Sequence, residues 1–115
     1  MLKFEERPWG NYQVLYDGEN CKVKKITIKP GQSPSYQMHY KRSENWIIVS
    51  GKAHVRLDDV MSEHYPGDNV FIPVESKHTI HNKSLKEDLV FIEVQTGTYF
   101  GEDDIVRLED KYGRV

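Results

Sequence analysis

The sequence predicts a single all-β domain, a sandwich or barrel, and three observations carry that prediction. Apolar residues recur with a period of two over most of the chain. The alternating runs are short, and Gly, Pro and Asp turns divide them at intervals of roughly 8–12 residues. At 115 residues the chain is long enough for one core and too short for a second.

Taken in order, the first element is residues 11–16, aromatic and β-branched, closed by the turn signal Asp17-Gly18. Cys21–Ile28 is extended, but its apolar residues change phase, from Cys21 and Val23 to Ile26 and Ile28. That slip points to a bulge or to burial on both faces. Pro30-Gly31 then punctuates the chain and opens the central stretch, GQSPSYQMHYKRSENWIIVSG, residues 31–51. Gln37 and His39 are two apart and share one side of an extended segment. Glu44 follows a short polar turn and leads into Asn45-Trp46-Ile47-Ile48-Val49, a run suited to a buried strand. Residues 52–57 alternate strictly, with Ala53, Val55 and Leu57 inward and Lys52, His54 and Arg56 outward. Asp58-Asp59 ends that strand.

Pro66-Gly67-Asp68 makes the next turn, before Asn69–Ile72. His78–His81 is a brief strand, and residues 89–95 form a longer one with Val90, Ile92 and Val94 on one face. Only the tail, 101–113, offers a helical turn, with Asp103 or Asp104 capping Ile105-Val106-Arg107-Leu108. There is no linker, internal repeat or low-complexity segment, so residues 1–115 are expected to form one domain with a charged tail at 101–115.

Composition removes several classes of function. Charged residues make up 30% of the chain and the net charge is −2, whereas a dedicated nucleic-acid binder carries a basic face and a positive excess. The single cysteine, Cys21, excludes an intrachain disulfide framework and fits a reducing compartment. No apolar run approaches the roughly 20 residues of a membrane helix, and MLKFEERPWG lacks the apolar centre of a signal peptide. The expectation is a cytoplasmic protein without membrane or nucleic-acid partners.

The central stretch supplies the chemistry. Gln37, His39 and Glu44 bring an amide oxygen, an imidazole and a carboxylate together from neighbouring strands, and His78 is a fourth candidate. Such a set suits a divalent metal, Zn²⁺ first, with Mn²⁺, Fe²⁺, Co²⁺ or Ni²⁺ also compatible. An amide oxygen is a weak ligand, which leaves room for substrate oxygens on the ion.

These residues resemble the two motifs of the cupin family. Gly31, Gln37, His39, Glu44 and Gly51 fall on the first motif, with glutamine in place of its first histidine. Gly67, Pro73, His78 and Asn82 fall on the second, with Glu75 where glycine is usual. The resemblance implies a double-stranded β-helix, or jelly-roll barrel, with metal-site motifs at 31–51 and 67–82. A closer likeness runs through Arg7-Pro8-Trp9-Gly10, Val23-Lys24-Lys25-Ile26, Gln37-Met38-His39, Trp46-Ile47-Ile48-Val49-Ser50-Gly51, Ile92-Glu93-Val94-Gln95 and the tail from Gly101 to Arg107 and Tyr112 to Arg114. There the chain is similar to the type II mannose-6-phosphate isomerase domain, usually the C-terminal half of a bifunctional enzyme with a mannose-1-phosphate guanylyltransferase. The nucleotidyltransferase half has no counterpart here, which implies a stand-alone isomerase domain. Tyr40, Lys41 and Asn45 occupy positions where that family has histidines.

What the resemblance implies is metal-dependent interconversion of mannose 6-phosphate and fructose 6-phosphate through an enediol. That reaction needs a Lewis acid, a base for the carbon acid and a clamp for the phosphate. Gln37, His39, Glu44 and His78 are the implied metal ligands. Lys41 and Arg42 are the candidate catalytic residues, Lys41 as a desolvated base and Arg42 at the position of a family arginine with a proposed catalytic role. Arg42 and Arg107 are the candidate phosphate clamp, with Arg114 at the same barrel mouth if the tail folds back. Two alternatives stay open: a cupin that binds a sugar or sugar phosphate without turnover, and another metal-dependent cupin enzyme. A homodimer is also expected, through an N-terminal edge strand bearing Trp9, Tyr12 and Val14.

Overall fold

The computed structural model describes residues 3–110 and residue 112. Among them are eleven strands and no helix: β1 (Phe4–Arg7), β2 (Gly10–Asp17), β3 (Cys21–Ile28), β4 (Tyr36–Met38), β5 (Arg42–Ser50), β6 (Ala53–Leu57), β7 (Val60–His64), β8 (Asn69–Ile72), β9 (His78–His81), β10 (Leu89–Gly97) and β11 (Val106–Glu109). Six make one antiparallel sheet in the order β1-β2-β3-β10-β5-β8, and five make the other in the order β11-β4-β9-β6-β7. This is the two-sheet barrel that the motifs imply. No helix among the described residues is long and apolar enough to cross a membrane.

Alternation decides which side chains fill the space between the sheets. Ala53 and Val55 of β6 are fully buried, as their phase requires, and meet Ile28, Ile48, Ile80 and Phe91 in one core cluster. Each such side chain contributes roughly 1.5–3 kcal/mol by leaving water. Polar side chains take inward positions too: Lys24, Glu44, His78, Glu93 and Gln95 are all buried.

Four expectations change. The tail does not turn into a helix: Val106–Glu109 is a strand, with Val106 opposite Met38 and Arg107 opposite Gln37. A single helical turn forms too few internal bonds to hold itself, and the free edge of β4 offers ladder bonds instead. The phase slip in β3 is not a bulge of that strand. The irregularity lies across from it, between Val14 and Tyr16 of β2, and the slip arises because Lys24, not an apolar residue, takes an inward position. Val90, Ile92 and Val94 do share a face of β10, but it is the outer, half-buried one, and Leu89, Phe91, Glu93 and Gln95 point inward. Finally, Trp9, Tyr12 and Val14 are buried in the chain's own core. A homodimer built on those three residues loses its surface, and the edge of the large sheet is the charged strand β1. Gly113 and Arg114 lie outside the described residues.

Two backbone positions hold the site-bearing strands in place. Gly51 has φ +87°, and a Cβ there would sit 2.9 Å from the Asp88 carbonyl oxygen and 3.1 Å from Leu89 Cα. Only glycine lets β5 turn into β6 so close to the start of β10. Glu75, where the second motif usually has glycine, adopts φ +62°, and its amide donates to the His39 carbonyl at 2.7 Å. The left-handed conformation strains a residue with a Cβ by about 1–2 kcal/mol, partly offset by the extra freedom glycine has when unfolded. Glu75→Gly is therefore expected to stabilise the protein by about 0.5–1 kcal/mol, read as a higher urea midpoint with an unchanged slope. A lower midpoint would contradict this account.

Candidate metal centre

Three strands deliver the donor atoms. His39 directly follows β4, Glu44 sits on the inward phase of β5, and His78 opens β9. Because β4 and β9 pair antiparallel with Gln37 opposite His78, the amide and the second imidazole come from adjacent positions. One ligand atom each of His39, Glu44 and His78 lies within 4.8 Å of the others. His39 Nε2 is 3.4 Å from Glu44 Oε2, and His78 Nε2 is 3.9 Å from Glu44 Oε1. Gln37 lines the same cavity, and its Oε1 accepts from Ser35 Oγ at 3.1 Å.

The other ring nitrogens fix the histidines. Nδ1 of His39 donates to the Asp104 carbonyl at 2.6 Å, and Nδ1 of His78 donates to the Ser76 carbonyl at 2.9 Å. Both rings therefore turn Nε2 towards Glu44, the arrangement metal-ligating histidines have. His78 Nε2 is buried with no hydrogen-bond partner among the described residues, and an orphaned buried acceptor is costly unless something occupies it. Burial and the adjacent Arg42 guanidinium lower the His39 pKa to about 4, so the ring is neutral and ready to ligate near neutral pH. For Glu44, burial alone would raise the pKa, but His78 and Arg42 outweigh it and hold the carboxylate ionised, well below its usual range. Two imidazoles, one ionised carboxylate and an amide oxygen make a donor set that fits a divalent cation.

Arg42 is not a surface residue. It is buried; its Nε donates to Glu44 Oε2 at 2.9 Å, and its Nη2 donates to His39 Nε2 at 3.1 Å. A metal taking His39 Nε2 replaces that second contact. Arg107 arrives on β11 beside Gln37 and lines the cavity, with Nε buried and without a hydrogen-bond partner among the described residues. The tail thus folds back as a strand rather than as a helical turn, and it brings Arg107 to the cavity. Lys41 is elsewhere: it is exposed, its amide donates to Asp104 Oδ2, its ammonium lies 5.2 Å from the Tyr99 ring centroid, and it contributes nothing to the cavity lining. Lys41 is thus not the desolvated base of this cavity.

Sequence reasoning missed a second polar layer. Trp46, on the run read as a buried strand, does pack in the core, but its indole N–H donates to both Glu44 Oε1 (2.9 Å) and Glu93 Oε1 (3.1 Å). Gln95 Nε2 donates to Glu93 Oε2 at 2.7 Å. Burial and the Glu44 charge raise the Glu93 pKa, so of the two carboxyls one is held ionised and the other is pushed towards its acid form. The alternating polar positions of Ile92-Glu93-Val94-Gln95 were the available signal.

Comparison with known proteins follows the same lines. Residues 3–110 match the family model described as mannose-6-phosphate isomerase C-terminal. A mannose-1-phosphate guanylyltransferase of Salmonella montevideo is 48% identical over 108 residues, covering 94% of this chain and 23% of that protein. The alginate biosynthesis protein AlgA of Pseudomonas aeruginosa is 49% identical over 109 residues, covering 95% of this chain and 22% of that protein. The chain thus spans less than a quarter of the length of these curated relatives. Among solved structures, the capsular polysaccharide assembling protein CapF of Staphylococcus aureus superposes with a TM-score of 0.78 at 26% identity, over 95% of this chain and 33% of that one. An RmlC-like cupin of Shewanella frigidimarina does so with 0.75 at 22% identity, over 89% of this chain and 87% of that one, a likeness of fold.

Proposed function

This chain belongs to the mannose-6-phosphate isomerase C-terminal domain family, and we propose that it interconverts mannose 6-phosphate and fructose 6-phosphate as a metal-dependent isomerase. The observation that supports this reading most is the convergence of His39, Glu44 and His78 within 4.8 Å, beside a cavity that Glu44, His78, Arg42 and Arg107 line. Gln37, His39, Glu44 and His78 would hold the cation. Bound there, a divalent metal, Zn²⁺ first among the candidates, supplies Lewis acidity to the carbonyl and hydroxyl oxygens of the sugar.

The chain's own residues do the rest. Asp104 and Ser76 carbonyls orient the two imidazoles, and Trp46 orients Glu44. Arg42 places a fixed guanidinium against the reacting end, where it stabilises negative charge developing on an enediolate. With Lys41 outside the cavity, the proton between C1 and C2 is left to Glu93, a carboxyl that lines the cavity, is not one of the donors and, with its pKa pushed up to about 8, takes the proton when ionised and returns it as the acid. The position of Lys41 also favours the runner-up, a cupin that holds a sugar phosphate without turnover.

The deciding experiment is purification without added metal, followed by measurement of bound metal and of mannose 6-phosphate turnover with chelator and with metal restored. Stoichiometric metal and turnover that chelation abolishes and Zn²⁺ or Mn²⁺ restores is the expected result. Turnover that persists after complete metal removal would refute the mechanism, and metal without turnover would leave the binding protein.

A further inference from the structure

Lys24 has no part in the chemistry above, yet it is one of the more costly residues in the fold. It occupies an inward position of β3 with only 3% of its surface exposed. Desolvating an ammonium is unfavourable by several kcal/mol unless partners compensate, and an apolar side chain would satisfy the core there more cheaply. Its partners are the Tyr12 ring, with Nζ 4.1 Å from the centroid, and Glu102, with Nζ 3.2 Å from Oε2. The same Glu102 oxygen lies 3.6 Å from Arg42 Nη1, an atom that is buried and makes no hydrogen bond among the described residues.

Glu102 is the odd member of this trio. It belongs to the connection between β10 and β11, and its side chain is 49% exposed. Burial acts to raise its pKa, but Lys24 and Arg42 outweigh that and keep it ionised. Two buried cations thus share one carboxylate that reaches in from the surface. Four cationic side chains, Arg7, Lys24, Arg42 and Arg107, line this cavity against Glu44, Glu93 and Glu102. Take Glu102 away and the entrance is strongly positive. The cavity holds about 80 Å³, room for a handful of waters and well below the roughly 300–1,000 Å³ of a typical ligand pocket, so a bound sugar phosphate requires lining side chains to move.

We propose that Lys24 and Arg42 form the subsite for the phosphate group of a sugar phosphate, and that Glu102 is a tethered carboxylate which holds that subsite until the incoming phosphate displaces it. The geometry suits one ligand reaching both regions. Arg42 touches Glu44 through Nε and faces Glu102 through Nη1, so a single guanidinium links the donor cluster to the anion position. Phosphate offers more acceptor oxygens and more charge than a carboxylate, and charge-assisted bonds to a buried ammonium and guanidinium favour it. The inference rests on reading the cavity as a sugar-phosphate site.

The test is calorimetric titration of the full chain, loaded with Zn²⁺, with inorganic phosphate and with mannose 6-phosphate. Glu102→Gln removes the competing charge from a half-exposed position and keeps the side chain's size. It is expected to tighten both ligands about fivefold, because the free subsite is then populated more of the time. Lys24→Met keeps the length and loses the charge, and is expected to weaken both ligands about tenfold or more while bound metal per chain stays constant. Unchanged or weaker phosphate binding in Glu102→Gln overturns the proposal, as does a folded Lys24→Met protein with wild-type affinity. If Lys24→Met does not fold, Glu102→Gln alone decides. Failure of the isomerase reading looks different: both affinity shifts occur, but mannose 6-phosphate is not converted. Conversely, turnover whose KM neither variant moves leaves the isomerase standing and removes the subsite.

Discussion

Glu44→Ala is expected to destabilise the metal-free protein by about 3–5 kcal/mol and to eliminate stoichiometric metal binding and metal-dependent turnover. The size follows from what Glu44 compensates. Its Oε2 accepts from Arg42 Nε at 2.9 Å and its Oε1 accepts from Trp46 Nε1 at 2.9 Å, in a position only 2% exposed. Removing the carboxylate leaves a buried guanidinium without its principal anion, a penalty well beyond that of a lost neutral hydrogen bond. Trp46 keeps Glu93 as an acceptor, so the loss concentrates on Arg42. Two measurements separate the effects: urea unfolding in chelator reports the ion-pair cost, and metal per chain in the folded variant reports the donor. A second substitution, Arg42→Met, should recover part of the stability lost in Glu44→Ala, since it removes the stranded charge, but none of the metal binding. A Glu44→Ala protein of wild-type stability would mean that Arg42 finds another anion and that the network described here is wrong.

The donor cluster was legible in the sequence because it depends on local spacing. Gln37 and His39 are two apart, Glu44 follows one short turn, and strand periodicity then fixes which way each points. Lys24 and Glu93 were not legible for the opposite reason. On β10 both phases are apolar, Leu89 and Phe91 in one and Val90, Ile92 and Val94 in the other. Nothing local says which phase is inward; pairing with β3 on one side and β5 on the other decides it. The phase slip in β3 was visible, but a lysine at an inward position reads as an outward one until its partner, 78 residues away in sequence, is known. The tail failed similarly. Its composition allows a helical turn, while the vacancy on the edge of β4 is a property of the assembled sheet. Arg42 was found by position, but its bonds to Glu44 and His39 depend on the inward turn of β5. Lys41, one residue earlier, shows how much that phase matters: the neighbouring position faces solvent.

Glu93→Gln is expected to change how stability depends on pH, and the sign can be worked out from the burial of the carboxyl. In the metal-free protein burial and the Glu44 charge push the Glu93 pKa from its usual 4.5 up to about 8. Below the usual value both folded and unfolded chains carry the proton, and the group does not oppose folding. Between the two values the unfolded chain releases the proton and the folded chain keeps it, so stability falls by up to about 1.4 kcal/mol for each pH unit. The contribution is present at low pH and is lost as pH rises through the folded value. Lys24 and Arg42 face the same carboxyl and act to lower its pKa, which moderates the loss without reversing it. Glutamine at 93 has no proton to release. It does forfeit one acceptor, since Trp46 and Gln95 both donate to Glu93, and that cost is the same at every pH. His39 and Glu44 titrate in both proteins, and their effects cancel in the difference. Stability of Glu93→Gln minus that of the wild type should therefore rise between pH 5 and pH 8, by about 2–4 kcal/mol, when both are unfolded by urea in chelator. Parallel stability curves across that range would show that Glu93 is ionised in the folded protein, and the division of one proton-bearing and one ionised carboxyl beside Trp46 would have to be abandoned.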